Sequence, residues 1–303
     1  MIIDRYMEPR EGIPALFFRK FDKTRAQIRL RGPLLSILNY QFSIYTHSMT
    51  ILQSLLLGAI EGVTEFLPIS STGHLILAGH LLKIPSTEFV KSFEIAIQLG
   101  AILAALVLYW KTLLLNRKIL MNVIIAFIPT AIIGLLLHGI VKEYLLGNDH
   151  IVIASLFLGG IILILFEKMH HPVKTRSDLT AMTPKQAVAI GLAQSIAIIP
   201  GVSRSAATIV GGMLLGFERK AIVDFSFLLA IPTMAAATGF DLLKSASTFT
   251  SDNLLVLVIG FIVSFITAIL AIKWLLGFIK HHTFIPFGVY RMVVAGIYFL
   301  FLF

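Results

Sequence analysis

From position 50 onward the chain is a succession of long apolar runs separated by short polar connections. Runs of about 17 to 25 apolar residues are long enough, as helix, to cross a hydrocarbon core of roughly 30 Å. Six such runs are predicted to span, at 93–110, 120–138, 151–166, 222–242, 254–276 and 286–303. Two further apolar segments, 52–82 and 187–215, are interrupted near their middles by Pro68 and by Pro200 with Gly201. Proline removes a backbone donor and pushes the residue before it out of helix, so each segment is expected to fold as a hairpin of two short helices. Non-helical backbone at membrane depth is tolerated only inside protein or beside a wet cavity, which predicts that the two breaks meet near the midplane.

The halves of the chain repeat. Gly58, Glu61, Pro68 and Ser71 recur as Gly191, Gln194, Pro200 and Ser203, at an offset of 132 to 133 residues. Each half then holds one broken segment and three spans, and an odd number of spans makes the second copy enter the membrane from the opposite face. The expected fold is an all-α integral membrane protein: six transmembrane helices plus two re-entrant helical hairpins arranged as an inverted-topology repeat. Repeat one covers about 50–168 and repeat two about 186–303, together forming a single membrane domain, 49–303.

Composition supports the bilayer as solvent. Of 303 residues 57% are hydrophobic and 14% charged, and the mean hydropathy is +0.90, well beyond what a soluble core requires. The chain has no cysteine, which excludes disulfides and thiolate metal sites. The formal charge of +9 is not read as a nucleic-acid signal, because basic residues of membrane proteins gather in cytoplasmic loops. Threading the six spans puts Lys111, Arg117, Lys118, Lys168, Lys174, Arg176, Lys185, Arg219, Lys220 and Lys280 on one side, and Lys83, Lys91, Lys142 and Lys244 on the other. The first side is expected to be cytoplasmic, with the C-terminus outside. Residues 1–48, with eight Lys or Arg and four Asp or Glu, do not fit that scheme. Two readings stand: an upstream stretch ahead of a true start at Met49, which is the one preferred, or a surface helix over 34–45.

The first break concentrates polar groups. Glu61 and Glu65 are four residues apart and share a helix face; hard oxygen ligands of this kind suit Mg²⁺ or Ca²⁺. Interfacial, solvated glutamates are the plainer reading, set against the cost of about 3 kcal/mol for an ionisable group in the membrane. Ser70, Ser71 and Thr72 follow the proline and should open the returning helix, where free N–H groups and the helix dipole attract anions. His74 lies about one helical turn past Ser71, so it could exchange a proton with the serine hydroxyl. At the second break Ser203, Arg204, Ser205 and Thr208 crowd another helix start. A guanidinium at that depth calls for an anion, and its fork of donors matches a phosphoryl group; snorkelling or pairing with Asp224 are the alternatives. A divalent cation, an arginine, a hydroxyl nucleophile and two helix starts are the set that phosphoryl transfer requires. A lipid setting favours a substrate with a long hydrocarbon tail.

Glu61, Glu65, Ser70 through His74, Pro200 through Ser205 and Thr208, together with Phe93, Glu94, Gln98, Gly100, Asp224 to Ser226, Ile285 to Phe287, Tyr290 and Arg291, resemble the motifs of the bacterial undecaprenyl-diphosphate phosphatases, the bacitracin-resistance protein family. The likeness runs from about Thr50 to the C-terminus. It implies a multi-pass enzyme of the bacterial inner membrane with a pocket opening outward. Such an enzyme hydrolyses undecaprenyl diphosphate to undecaprenyl phosphate and inorganic phosphate, recycling the lipid carrier of cell-wall synthesis and conferring bacitracin resistance. It also implies that Glu61 and Glu65, the candidate metal ligands, are essential acidic residues, that Ser71 and His74 are catalytic, the motif leaving open which of the two attacks phosphorus, and that Arg204 holds phosphate. Ser70, Thr72, Gln98, Ser203, Ser205 and Thr208 are then expected at the substrate. Ala206 replaces a glycine common in relatives. The phosphatidate-phosphatase superfamily also uses a short Ser-Gly-His stretch, but no histidine follows Arg204 closely here. A lipid-phosphate transporter or flippase, or a dual phosphatase and flippase, is the rival reading; an oligomer is neither required nor excluded.

Overall fold

The computed structural model describes residues 49–145, 147–170, 175–245 and 253–302; expectations for residues 1–48 fall outside these. Met49–Phe303 forms one compact unit. It is built of α1 (Ile51–Thr64), α2 (Ser71–Leu81), α3 (Glu88–Leu115), α4 (Arg117–Ile140), α5 (Asp149–Met169), α6 (Pro184–Ser195), α7 (Arg204–Leu214), α8 (Arg219–Ser245), α9 (Leu254–Phe278) and α10 (Ile285–Leu302). Short π and 3-10 turns sit between some of them.

Six helices, α3, α4, α5, α8, α9 and α10, are long and apolar enough to cross a membrane, and they are the six expected from the apolar runs. Several begin a few residues earlier than predicted, because polar first turns such as Glu88 in α3 and Asp149 in α5 belong to the helix although they interrupt the apolar run. Leu135 and Leu136 on α4, Leu270 and Trp274 on α9 and Leu300 on α10 are more than half exposed. Apolar surface on that scale suits lipid and not water.

The broken segments are pairs of short helices, α1 with α2 and α6 with α7. Both pairs start alike. Thr50 caps α1 in a reciprocal box with Gln53, and Thr183 caps α6 in the same box with Gln186, followed by Pro184 in the first turn. α1 lies along α9 and α3, whereas α6 lies along α4. Glycine makes both approaches close: a Cβ on Gly58 would stand 2.5 Å from the carbonyl oxygen of Gly260 in α9, and one on Gly191 would run into the carbonyl of Ala126 in α4. α3 and α8 pack on each other at the centre, α8 also touches α7 and α4, and α10 pairs with α5. The main core gathers Phe66, Phe217, Phe225, Phe227 and Phe284 with aliphatic side chains from both halves.

Gly191→Ala should therefore destabilise the fold by about 1 to 3 kcal/mol through overpacking, which corresponds to a thermal midpoint lower by about 2 °C or more in detergent. An unchanged midpoint would mean that α4 and α6 are not in backbone contact.

Candidate active site

The first break runs from Glu65 to Ser70. α1 stops because Pro68 has no N–H to offer and Ser70 turns to φ 71°, a left-handed conformation that costs a non-glycine residue about 1 to 3 kcal/mol unless its surroundings hold it. The second break follows α6 through a 3-10 turn over Ile196–Ile198 to Gly201, at φ 91°. Chain breaks leave carbonyls without helical partners, and buried ones need donors. Those donors come from elsewhere in the fold. The Ser205 hydroxyl donates to the Phe66 carbonyl at 2.9 Å, and the Ser203 hydroxyl to the Leu67 carbonyl at 3.4 Å while accepting the Ala206 N–H. Arg291 of α10, only 1% exposed, donates to Pro68 in the first break (3.4 Å), Gly201 in the second (3.0 Å), and Ser155 (3.0 Å) and Leu156 (3.3 Å) in α5. The two breaks are thus joined directly and through one buried guanidinium.

This joint brings Glu65, Ser71 and Arg204 together. The Ser71 hydroxyl donates to Glu65 Oε2 at 2.5 Å, and Arg204 Nη2 donates to Glu65 Oε1 at 3.1 Å. Both partners of the ion pair are largely buried, with side chains 13% and 8% exposed. Arg204 is oriented by Nη1 donating to the Ser226 carbonyl at 2.9 Å and by the Phe66 ring beneath it, 5.7 Å from the guanidinium carbon. Its Nε is buried without a partner. Asp224, the other candidate partner for Arg204, instead accepts the Tyr109 hydroxyl.

One turn before Glu65, Glu61 is fully buried, and neither carboxylate oxygen receives a hydrogen bond. Glu94 on α3 is near enough to repel it, as is Glu65. Gln194, the residue matching Glu61 in the second half, has both amide N–H groups engaged, donating to Thr130 at 3.0 Å and Thr233 at 3.1 Å, and its Oε1 lies 3.3 Å from the Thr208 hydroxyl. The contrast is chemical. A buried carboxylate with two unused oxygens and like-charged neighbours suits a divalent cation, whereas the amide needs nothing further. Among the described residues no group of three or more His, Asp or Glu side chains converges on one point. A Glu61 and Glu65 pair is what Mg²⁺ commonly uses when substrate phosphate and water complete its shell.

The expected Ser71–His74 contact is replaced by others. His74 Nδ1 lies 2.7 Å from the Ser70 carbonyl and Nε2 2.9 Å from the Tyr290 hydroxyl, and Glu65 takes the serine proton's place of contact. Ser203 and Ser205, expected at the substrate, have hydroxyls given to the carbonyls of the first break. Thr208 is fully buried and donates to the Arg204 carbonyl at 3.0 Å. Thr72 stays half-buried in the first turn of α2 next to Ser71, and Gln98 half-buried on α3 one turn past Glu94. The first N–H groups of α2, from Ser71 onward, have no intrahelical partners, and a helix start of this kind attracts anions. Arg291, Tyr290, Ser226 and Glu94 were visible only as motif members; the count of unpaired carbonyls at two buried breaks was the signal for Arg291.

Residues 54–297 match the family model described as "Bacitracin resistance protein BacA". The chain is 53% identical over 250 residues to "Undecaprenyl-diphosphatase" of Aquifex aeolicus (strain VF5), covering 82% of this chain and 98% of that protein. It is 50% identical over 253 residues to the protein of the same description in Sulfurihydrogenibium sp. (83% and 99% covered), and 45% identical over 249 residues to that of Thermus thermophilus (81% and 95%).

Arg291→Lys keeps the charge but replaces five fixed donors with one ammonium, leaving at least one buried carbonyl unpaired at about 1 to 3 kcal/mol. A clear fall in thermal midpoint is the expected reading; an unaltered midpoint would show that the four carbonyls do not depend on it.

Proposed function

We propose that this chain, which belongs to the bacitracin resistance protein BacA family, hydrolyses undecaprenyl diphosphate to undecaprenyl phosphate and inorganic phosphate. The observation that carries the reading is Glu65 held between Ser71 and Arg204, one carboxylate oxygen to each. That arrangement supports reading Ser71 as a hydroxyl nucleophile, Glu65 as its base and Arg204 as the fork that takes phosphate. Ser71 Oγ attacks the terminal phosphorus while its proton passes to Glu65. The bridging O–P bond breaks and undecaprenyl phosphate departs, leaving a phosphoserine. Water then adds to that phosphorus, releasing inorganic phosphate and returning the proton to Ser71. Arg204 donates to the non-bridging oxygens, with its unpartnered Nε available, and the N–H groups opening α2 stabilise the charge that builds there. Glu61 and Glu65 would hold Mg²⁺ or Ca²⁺, which when bound neutralises diphosphate charge and polarises the P–O bonds.

The two broken helices are read as re-entrant hairpins of an inverted repeat. The twin capping boxes support this, as do the matching close approaches of α1 to α9 and of α6 to α4. The distribution of Lys and Arg supports a C-terminus outside the cytoplasm and a site open to the outer face of a bacterial inner membrane. Paired broken helices also suit a lipid flippase, but a carrier has no need of a serine hydroxyl bonded to a carboxylate.

Purified protein in detergent should release phosphate from undecaprenyl diphosphate, and Glu65→Gln or Arg204→Ala should slow release by about a hundredfold or more. Binding of the lipid without phosphate release would favour transport. Excess EDTA should suppress turnover, and restored Mg²⁺ or Ca²⁺ should recover it; turnover indifferent to chelation removes the cation from the scheme.

A further inference from the structure

We propose that His74 is a positioning residue: its Nδ1–H holds the Ser70 carbonyl, and thereby the left-handed turn that presents Ser71, while Tyr290 locks the imidazole from the other side. The inference rests on the proposed hydrolysis and assigns His74 a role other than proton transfer.

The geometry is specific. Ser70 precedes the first residue of α2 and has φ 71°, and its side chain makes no capping bond to the helix. The backbone bond that should begin α2, from the His74 N–H to the Ser70 carbonyl, is long at 3.4 Å. The imidazole reaches the same carbonyl at 2.7 Å. A side-chain donor therefore does what the first helical hydrogen bond does elsewhere, and does it where the backbone is least comfortable. Because a carbonyl only accepts, Nδ1 carries the proton, and in the neutral ring Nε2 accepts from the Tyr290 hydroxyl at 2.9 Å. The two rings are parallel within 4°, with centroids 5.5 Å apart, which fixes the imidazole plane. Both nitrogens are thus committed, one to backbone and one to α10, and Ser71 has Glu65 for its proton. Tyr290 adjoins Arg291, so neighbouring residues of α10 secure Ser70 and Pro68, at the end of the same break.

The test separates a donor at the Nδ1 position from an acid or base. Asparagine places its amide N–H where Nδ1–H stood and cannot exchange a proton at neutral pH; glutamine places its amide nearer the Nε2 position; alanine has neither. In phosphate release from undecaprenyl diphosphate, His74→Ala and His74→Gln should each lose about a hundredfold in kcat, the scale of a misplaced reacting group. His74→Asn should remain within about tenfold of wild type, with the wild-type limbs in its pH profile. Tyr290→Phe should cost about tenfold or less alone and nothing more in the His74→Asn background, where the bond it supports is gone. All variants are compared at equal amounts of monodisperse protein with their thermal midpoints, so a fold defect is read separately. Equal loss in the asparagine and alanine variants, or a missing pH limb in asparagine, overturns the inference and returns proton transfer to His74. Inactive wild-type protein would instead sink the proposed hydrolysis.

Discussion

Dry carbonyls at two interrupted helices set the terms for the rest of this molecule. A continuous helix satisfies its own backbone, but each break leaves acceptors pointing into an interior where water is scarce. Ser205 and Ser203 from the second break answer Phe66 and Leu67 of the first, and Arg291 answers one carbonyl in each break and two in α5. The second pair of helices cannot shift against the first without exposing those acceptors. Glu65 and Arg204 meet at 3.1 Å because their backbones are pinned by bonds that involve neither.

The division between structural and reactive polar groups follows from satisfaction. Gln194 with its three threonines and Arg291 with its carbonyls are saturated, and saturated groups have little to offer a ligand. Glu61 with two idle oxygens and Arg204 with an idle Nε are not. Those unsatisfied atoms flank Glu65, where an ion, a water or a ligand would answer them.

Much of this was legible beforehand. The six spans followed from run length alone, because hydrophobic thickness sets a minimum that chance rarely meets six times. The breaks followed from Pro68 and from Pro200 with Gly201. Glu65 and Arg204, remote in sequence, were expected in one cavity because the two breaks were expected to meet; their direct pairing was not foreseen, since the anion expected for Arg204 was a phosphoryl group, with Asp224 the alternative. The partner of Ser71 was not legible: a spacing of three suggested His74, but that estimate assumes regular helix, and the left-handed Ser70 redirects the imidazole to its own carbonyl. The hydroxyls of Ser203 and Ser205 were assigned to substrate since a helix start attracts anions, yet unpaired carbonyls closer by had the stronger claim. Sequence patterns record which groups are present, whereas allocation among competing acceptors depends on distances that only the folded chain defines.

The charge balance of the site argues for the chemistry assigned to it. Glu61 feels both Glu65 and Glu94, while Arg204 pairs with Glu65 and Lys91 acts on Glu94. Arg291 spends its donors on four backbone carbonyls and none on a carboxylate, so the acidic side chains here outnumber the arginine that pairs with them. A site for a neutral ligand would gain nothing from that excess, and a diphosphate would be repelled by it. A divalent cation held by Glu61 and Glu65 would offset both effects, since it would neutralise the carboxylates and offer positive charge to phosphate. Glu61 and Glu65 are therefore the donors that the proposed cation would use, and a test of that proposal is a test of why these acids are buried together.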